Sequence, residues 1–340
     1  MPYKSLIVLV VLLVVAQGAG ADSGAEPDGR GDDTATVARF ESKAQTGDAT
    51  AQNNLGVLYL KGRGVSQDYG RAHELLQAAA EQHLPGAMFN LGTVYLRGYG
   101  VAPEPLRAIE WFRRAAALDD RKAQFFLGVI YTRGLGVTPD RRLAKEWFQQ
   151  SAHAGMAAAQ FNLAMLYLQS PGPNEGETEA LKWLENAAKQ GYKRANLAIA
   201  KLDLNHNDDP ARLAHAATLL RELAHSGDPE GQMQFGLMNL FGKGLPLDEG
   251  EGRFWLRESA LQGLAAAQLN LSAVYAQGIG TAKDPVEAYA WLTLAAAQDE
   301  KIKPALTEMA ARLKPEQRSQ AQAMAKDLQE KRAASDAALE

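Results

Sequence analysis

The chain has 340 residues and no cysteine, which excludes disulfides, thiolate-held zinc and a cysteine nucleophile. Its 46% hydrophobic and 22% charged residues supply enough apolar surface to fold, and a formal charge of −4 offers nucleic acid no general attraction.

The N-terminus reads Met1-Pro2-Tyr3-Lys4, then an uncharged run from Ser5 to Val15, then Ala19 and Ala21 in a small-x-small arrangement. This is the pattern of a Sec-type signal peptide over 1–21, with cleavage expected after Ala21. An apolar run of about 11 residues falls short of the roughly 20 that span a bilayer, so no stable membrane span is expected after cleavage. The mature chain is expected in the periplasm or outside the cell. Residues 22–36 are acidic, small and turn-rich, the composition of a flexible linker.

From 37 to 299 the chain repeats itself. Leu55, Leu91, Leu127, Leu163, Ile199, Phe235 and Leu271 stand 36 residues apart, as do Ala51, Ala87, Ala123, Ala159, Ala195, Gly231 and Ala267. A third series runs through Leu75, Trp111, Trp147, Trp183, Leu219, Trp255 and Trp291. Seven copies follow one another without insertion, after a short lead-in.

Within a copy, Ala87, Leu91, Val94 and Tyr95 have the three-and-four spacing of an amphipathic helix. Gly98-Tyr99-Gly100 ends it, and Ala108 to Ala116 supplies a second helix. Glycines at 56, 92, 128 and 236 sit inside the first helices at a cost of about 1 kcal/mol each relative to alanine, so a neighbouring helix is expected to need the space. Trp111, Trp147, Trp183, Trp255 and Trp291 are the expected large core partners, with Trp147→Ala expected to cost about 3–5 kcal/mol. After the last copy, Ile302 to Leu313 and Pro315 to about Arg332 read as two helices. Residues 300–332 are thus expected to cap the array, and 333–340 to be disordered.

The pattern Ala-x-x-x-Leu-Gly-x-x-Tyr-x-x-Gly-x-Gly-Val, then Ala-x-x-Trp-Phe-x-x-Ala-Ala, is complete at 87–116 and nearly so at 123–152. It resembles the Sel1-like repeat, a relative of the tetratricopeptide repeat. The resemblance implies an exported bacterial member with an all-α fold, a right-handed α/α superhelical solenoid of seven 36-residue helix-loop-helix repeats with a C-terminal helical cap. It also implies a scaffold or adaptor that binds protein partners on a concave face lined by the first helices. A cysteine-rich branch of the family is linked to penicillin binding, and the lack of cysteine here keeps that activity from being carried over.

Chemistry-bearing motifs are sparse. The six histidines form no His-x-x-x-His pair, and the Gly-x-Gly pairs end helices rather than open them after a strand. His206, Asp208 and Asp209 make the densest polar group, read as a helix start with Asp209 as cap and Pro210 at the first position rather than as a metal site. No cofactor, metal or catalytic residue is assigned, and the chain is read as a non-enzyme. The candidate binding residues are Asn54, Asn90, Asn162 and Asn270 at one repeat position, with Lys61, Arg97 and Arg133 seven residues after the first two and their counterpart Phe126. Seven residues is close to two helical turns, which puts both positions on one face. Two roles stay open for the amides: bracing neighbouring repeats, or bonding a partner's backbone while the cations meet carboxylates. An envelope glycan, bound or processed, is the alternative to a protein partner.

Overall fold

The computed structural model describes residues 33–169, 175–206 and 208–337. The signal peptide read over 1–21, the linker as far as residue 32 and most of the turn of repeat four lie outside them. The described residues are helical with no strand among them, and fall into two compact units, 1–187 and 188–340.

The N-terminal unit holds α1 (Asp33–Gln45), α2 (Ala49–Lys61), α3 (Tyr69–Glu81), α4 (Pro85–Arg97), α5 (Pro105–Ala116), α6 (Arg121–Arg133), α7 (Arg141–His153), α8 (Ala157–Leu168) and most of α9 (Glu175–Lys189). The C-terminal unit holds α10 (Lys193–Asn205), α11 (Pro210–His225), α12 (Pro229–Phe241), α13 (Glu249–Leu261), α14 (Ala265–Gln277) and α15 (Pro285–Gln298). A 3-10 turn (Glu300–Ile302), α16 (Lys303–Arg312) and α17 (Pro315–Ala337) close the chain. The even-numbered helices α2 to α14 begin at 49, 85, 121, 157, 193, 229 and 265, so the 36-residue step of the sequence is the step of the structure. In each unit every helix from α2 to α7, and from α11 to α14, packs on the helix before it and the helix after it. This is the nearest-neighbour packing of a solenoid.

Local chemistry sets the helix ends. Asp48, Asp68, Asp120, Asp140, Asp228 and Asp248 each precede a helix and accept a hydrogen bond from the backbone N–H three residues on. Asp209 caps α11 in the expected way, accepting from Ala211 N at 2.9 Å. At the other end of α4, Gly98 takes a left-handed φ of 72° and donates to Val94 O, and Gly100 follows with the same φ. Gly100 is also pressed against repeat one: a Cβ there would lie 2.4 Å from Tyr69 Cβ, at the start of α3. Gly136, Gly244 and Gly280 meet Pro105, Leu213 and Glu249 in the same way.

The glycines inside the first helices do make room, but for a different residue from the tryptophans. A Cβ on Gly92 would meet Phe112 at 2.8 Å, and one on Gly128 would meet Phe148 at 2.6 Å. Phe112 and Phe148 follow Trp111 and Trp147 by one residue, about 100° round the second helix. That angle turns the phenylalanines into the hairpin and leaves the tryptophans at its rim. Trp111, Trp147, Trp183 and Trp255 are accordingly half-buried. Trp183 packs on His153 (centroids 5.1 Å) and Trp255 on His225 (4.9 Å), each 30 residues back along the chain. Only Trp291 is buried, because α17 lays Leu328 over it as part of the cap.

A glutamine column, half-buried at Gln52 and buried at Gln160, Gln232 and Gln268, locks successive repeats. Gln52, Gln160, Gln232 and Gln268 each donate from Nε2 to the carbonyl eight residues earlier, at the end of the preceding helix. Oε1 of Gln52, Gln232 and Gln268 accepts from Gln82, Gln262 and Gln298, each 30 residues later, at 2.8, 2.7 and 3.0 Å. Donor and acceptor of one amide are thereby both satisfied. In repeat two Met88 and Leu118 occupy the two positions. In repeat three Gln124 is followed by Ala154, and Gln124 Oε1 has no partner.

Two boundaries differ from expectation. Helix α1 begins at Asp33, inside the segment read as linker, since Asp33 to Thr36 run directly into a helix that seats Val37 and Ala44 on α2. Helix α17 continues to Ala337, past Arg332, because Ala333, Ala334 and Ala337 favour helix and no Gly or Pro interrupts them.

Phe148, 1% exposed, is expected to cost about 3–5 kcal/mol on replacement by alanine, and Trp147→Ala distinctly less. Urea unfolding of both variants checks this, and a larger loss for Trp147→Ala would reverse the assignment. Ala154→Gln is expected to supply the missing brace and raise stability by about 1 kcal/mol, read as a higher unfolding midpoint.

Candidate binding surface

The candidate binding surface is built from one repeat position on the first helices. Asn54, Asn90, Asn162 and Asn270 lie there half-buried, and their amides do not form one continuous ladder. Asn90 Nδ2 donates to Asn53 Oδ1 at 2.8 Å, and Asn53 Nδ2 to Asn54 Oδ1 at 3.2 Å, which joins repeats one and two. Asn162 and Asn270 instead donate to carbonyls of their own helices, Ala158 at 2.7 Å and Ala266 at 2.9 Å. Asn90, Asn162 and Asn270 thus each commit an amide N–H inside the protein and keep a carbonyl oxygen able to accept, whereas Asn54 uses its oxygen on Asn53. In repeat three the position holds Phe126, whose ring packs 5.3 Å from Phe89 and 5.7 Å from Phe112.

Lys61, Arg97 and Arg133 stand in the last turns of α2, α4 and α6, where a cation complements the helix dipole. Lys61 and Arg97 are exposed and Arg133 half-exposed. The equivalent residue of repeat six is Phe241, 63% exposed.

A polar series at the first-helix position of Tyr59, Tyr95, Tyr131 and Tyr167 was not singled out from the sequence, though its 36-residue spacing is visible there. Tyr95 OH meets His73 Nε2 at 2.9 Å, and Arg113 donates to Tyr131 OH at 2.6 Å. In repeat five the position becomes Asp203, 4% exposed, whose carboxylate accepts from Arg212 Nε and pairs with His215 Nδ1, both at 2.8 Å. In repeat seven, Tyr275 is raised above the usual phenol range by burial, with the Glu287 carboxylate adding to the shift. Glu287 is itself raised, by burial first; the hydrogen bond from Trp291 Nε1 (2.8 Å) works in the opposite direction. A cavity of about 110 Å³ between α13, α14, α15 and α17 is lined by Trp291, Leu294, Gln298, Leu328 and Arg332. It is well below the roughly 300 Å³ at which small-molecule pockets begin. Among the described residues no group of three or more His, Cys, Asp or Glu is placed to hold a metal. No helix among them is long and apolar enough to cross a membrane.

The Sel1 repeat model matches residues 49–84, 85–120, 121–156, 157–192, 229–264 and 265–300, more than half of the chain. The chain belongs to the Sel1 repeat family. Its fifth copy, 193–228, is outside the match although α10 and α11 fold there as a helical pair; Asp203 and the loss of the glycine turn mark its divergence. The structure is similar to that of a Sel1 repeat protein from Oxalobacter formigenes, with 31% identity, 83% of each chain covered and a TM-score of 0.62. It is also similar to c5321, a protective antigen of uropathogenic Escherichia coli strains. Identity is 28%, with 89% of this chain and 73% of that one covered and a TM-score of 0.52. No curated protein matches the chain. Sel1 repeat proteins generally act as protein-interaction scaffolds.

Glu287 gives a pH test of the last repeat. A carboxyl raised on folding binds its proton more tightly folded than unfolded, so the folded state gains stability as pH falls through the raised value towards the ordinary one. Glu287→Gln keeps an oxygen for Trp291 and removes the charge. The variant is expected to melt above the parent at pH 7, with the difference shrinking as pH enters the carboxylate range; a gap constant with pH would exclude the charge as its cause.

Proposed function

We propose that this Sel1 repeat chain is an exported, non-catalytic scaffold, periplasmic or secreted, that holds an extended segment of a protein partner on its first-helix faces. The observation that carries the reading is the amide geometry. Asn90, Asn162 and Asn270 turn their donors into the protein and leave carbonyl oxygens able to accept from a partner's backbone N–H groups. Both roles read from the sequence are thus compatible in one side chain. The export signal supports a location beyond the inner membrane, as does the likeness to c5321, itself a protective antigen.

The test is cross-linking and pull-down from the native envelope fraction with the intact chain and with Asn90→Ala/Arg97→Ala/Asn162→Ala, after circular dichroism shows equal helicity. Specific protein partners are expected with the intact chain and lost with the variant. Partners kept by the variant would remove the surface from consideration. Retention on peptidoglycan or polysaccharide with no protein partner would overturn the scaffold.

A further inference from the structure

Charge is unevenly distributed over the repeats. Repeat three, 121–156, carries Arg121, Lys122, Arg133, Arg141, Arg142 and Lys145 against Asp140 and Glu146, a net of +4 in a chain of net −4. Every other repeat is neutral or negative.

The position of these cations is as informative as their number. Arg141 and Arg142 open α7, in the first turn, where the helix dipole favours acids by about 0.3–1 kcal/mol each. The same turn carries Glu249 and Glu251 in α13 and Glu287 in α15. Helix stability therefore does not account for the basic pair. Arg141 Nη2 donates to Leu166 O at 2.8 Å, and Lys145 Nζ lies 4.1 Å from the centre of the Tyr167 ring, so α8 holds both in place. Arg142 has a side chain 78% exposed and pairs with Glu146 at 3.1 Å, on the solvent side. Such pairs contribute at most about 1 kcal/mol and open readily.

We propose that this face of α7 binds an acidic segment of a protein partner. The proposal rests on the scaffold reading and names the partner's chemistry. Arg142 and Lys145 are three residues apart on the helix, about 5–6 Å between Cβ atoms. Alternate side chains of an extended segment are about 7 Å apart, a spacing that lets two carboxylates reach the two cations. Arginine adds a planar fork suited to carboxylate. Glu146, standing among the cations, repels a dense polyanion or a flat anionic membrane, whereas a peptide can place its carboxylates to either side.

The test is fluorescence anisotropy of a labelled ten-residue Glu-Ser repeat peptide with the full chain. Two variants of equal charge change are compared, Arg142→Glu/Lys145→Glu and Lys301→Glu/Lys303→Glu, both shown to be folded by circular dichroism. Binding is expected to weaken more than about tenfold in the first and to be unchanged in the second, and to fall as salt is raised. Equal binding by both variants, or no binding by the parent, overturns the proposal. So does preference for polyphosphate or phosphatidylglycerol vesicles that Arg142→Glu/Lys145→Glu removes. A native partner kept by that variant but lost with the first-helix variant overturns the acidic site and leaves the scaffold standing.

Discussion

The distance between the two helices of a repeat governs the rest of the molecule. It is set where a first helix lacks a Cβ. Gly92 and Gly128 receive the faces of Phe112 and Phe148, and at Gly236 the opposing group is a backbone carbonyl, that of Gly252, 2.8 Å from where a Cβ would stand. Close-packed interiors transmit such spacing to their neighbours. Beside this packing, in repeats one, six and seven, a glutamine joins a carbonyl oxygen of the preceding helix to the amide of a glutamine 30 residues later.

Much of this was legible because a repeat is its own control. Seven aligned copies exposed the helix pair, the glycine turn and the need for space inside the first helix, and the local Asp209-Pro210 pattern exposed the cap of α11. The identity of the residue filling that space was not, since Trp111 and Phe112 are neighbours in sequence and only the helix phase decides which turns inward. Size favoured the tryptophan; the angle chose the phenylalanine. The glutamine column and the tyrosine series were visible as spacings, but their meaning depends on partners 8, 18 and 30 residues away in other helices. The start of α1 was hidden for a different reason: Asp33 and Thr34 look like linker by composition, and only packing of Val37 and Ala44 on α2 recruits them.

The candidate surface was legible in position and not in geometry. The sequence put Asn54, Asn90, Asn162 and Asn270 at one repeat position, and each is half-buried on its own first helix. The structure commits the amide nitrogen within the protein at Asn90, Asn162 and Asn270, however, and the amide oxygen at Asn54. A hydrogen-bonding side chain at the edge of a repeat can brace and bind together, because buried donors must be satisfied while half-exposed acceptors need not be. Side-chain type alone carries no information about that division.

The second glycine of the turn has a consequence for how such a chain changes length. Gly100, Gly136, Gly244 and Gly280 rest on Tyr69, Pro105, Leu213 and Glu249, four residues with nothing in common beyond a backbone and a Cβ. The junction recognises main-chain shape and is indifferent to the side chain beneath it. At this contact one copy can follow another without a matched pair of mutations, unlike side-chain pairs such as His73–Tyr95 and Arg113–Tyr131. The glycine junction therefore tolerates the gain or loss of a whole 36-residue module even where the neighbouring side chains have diverged.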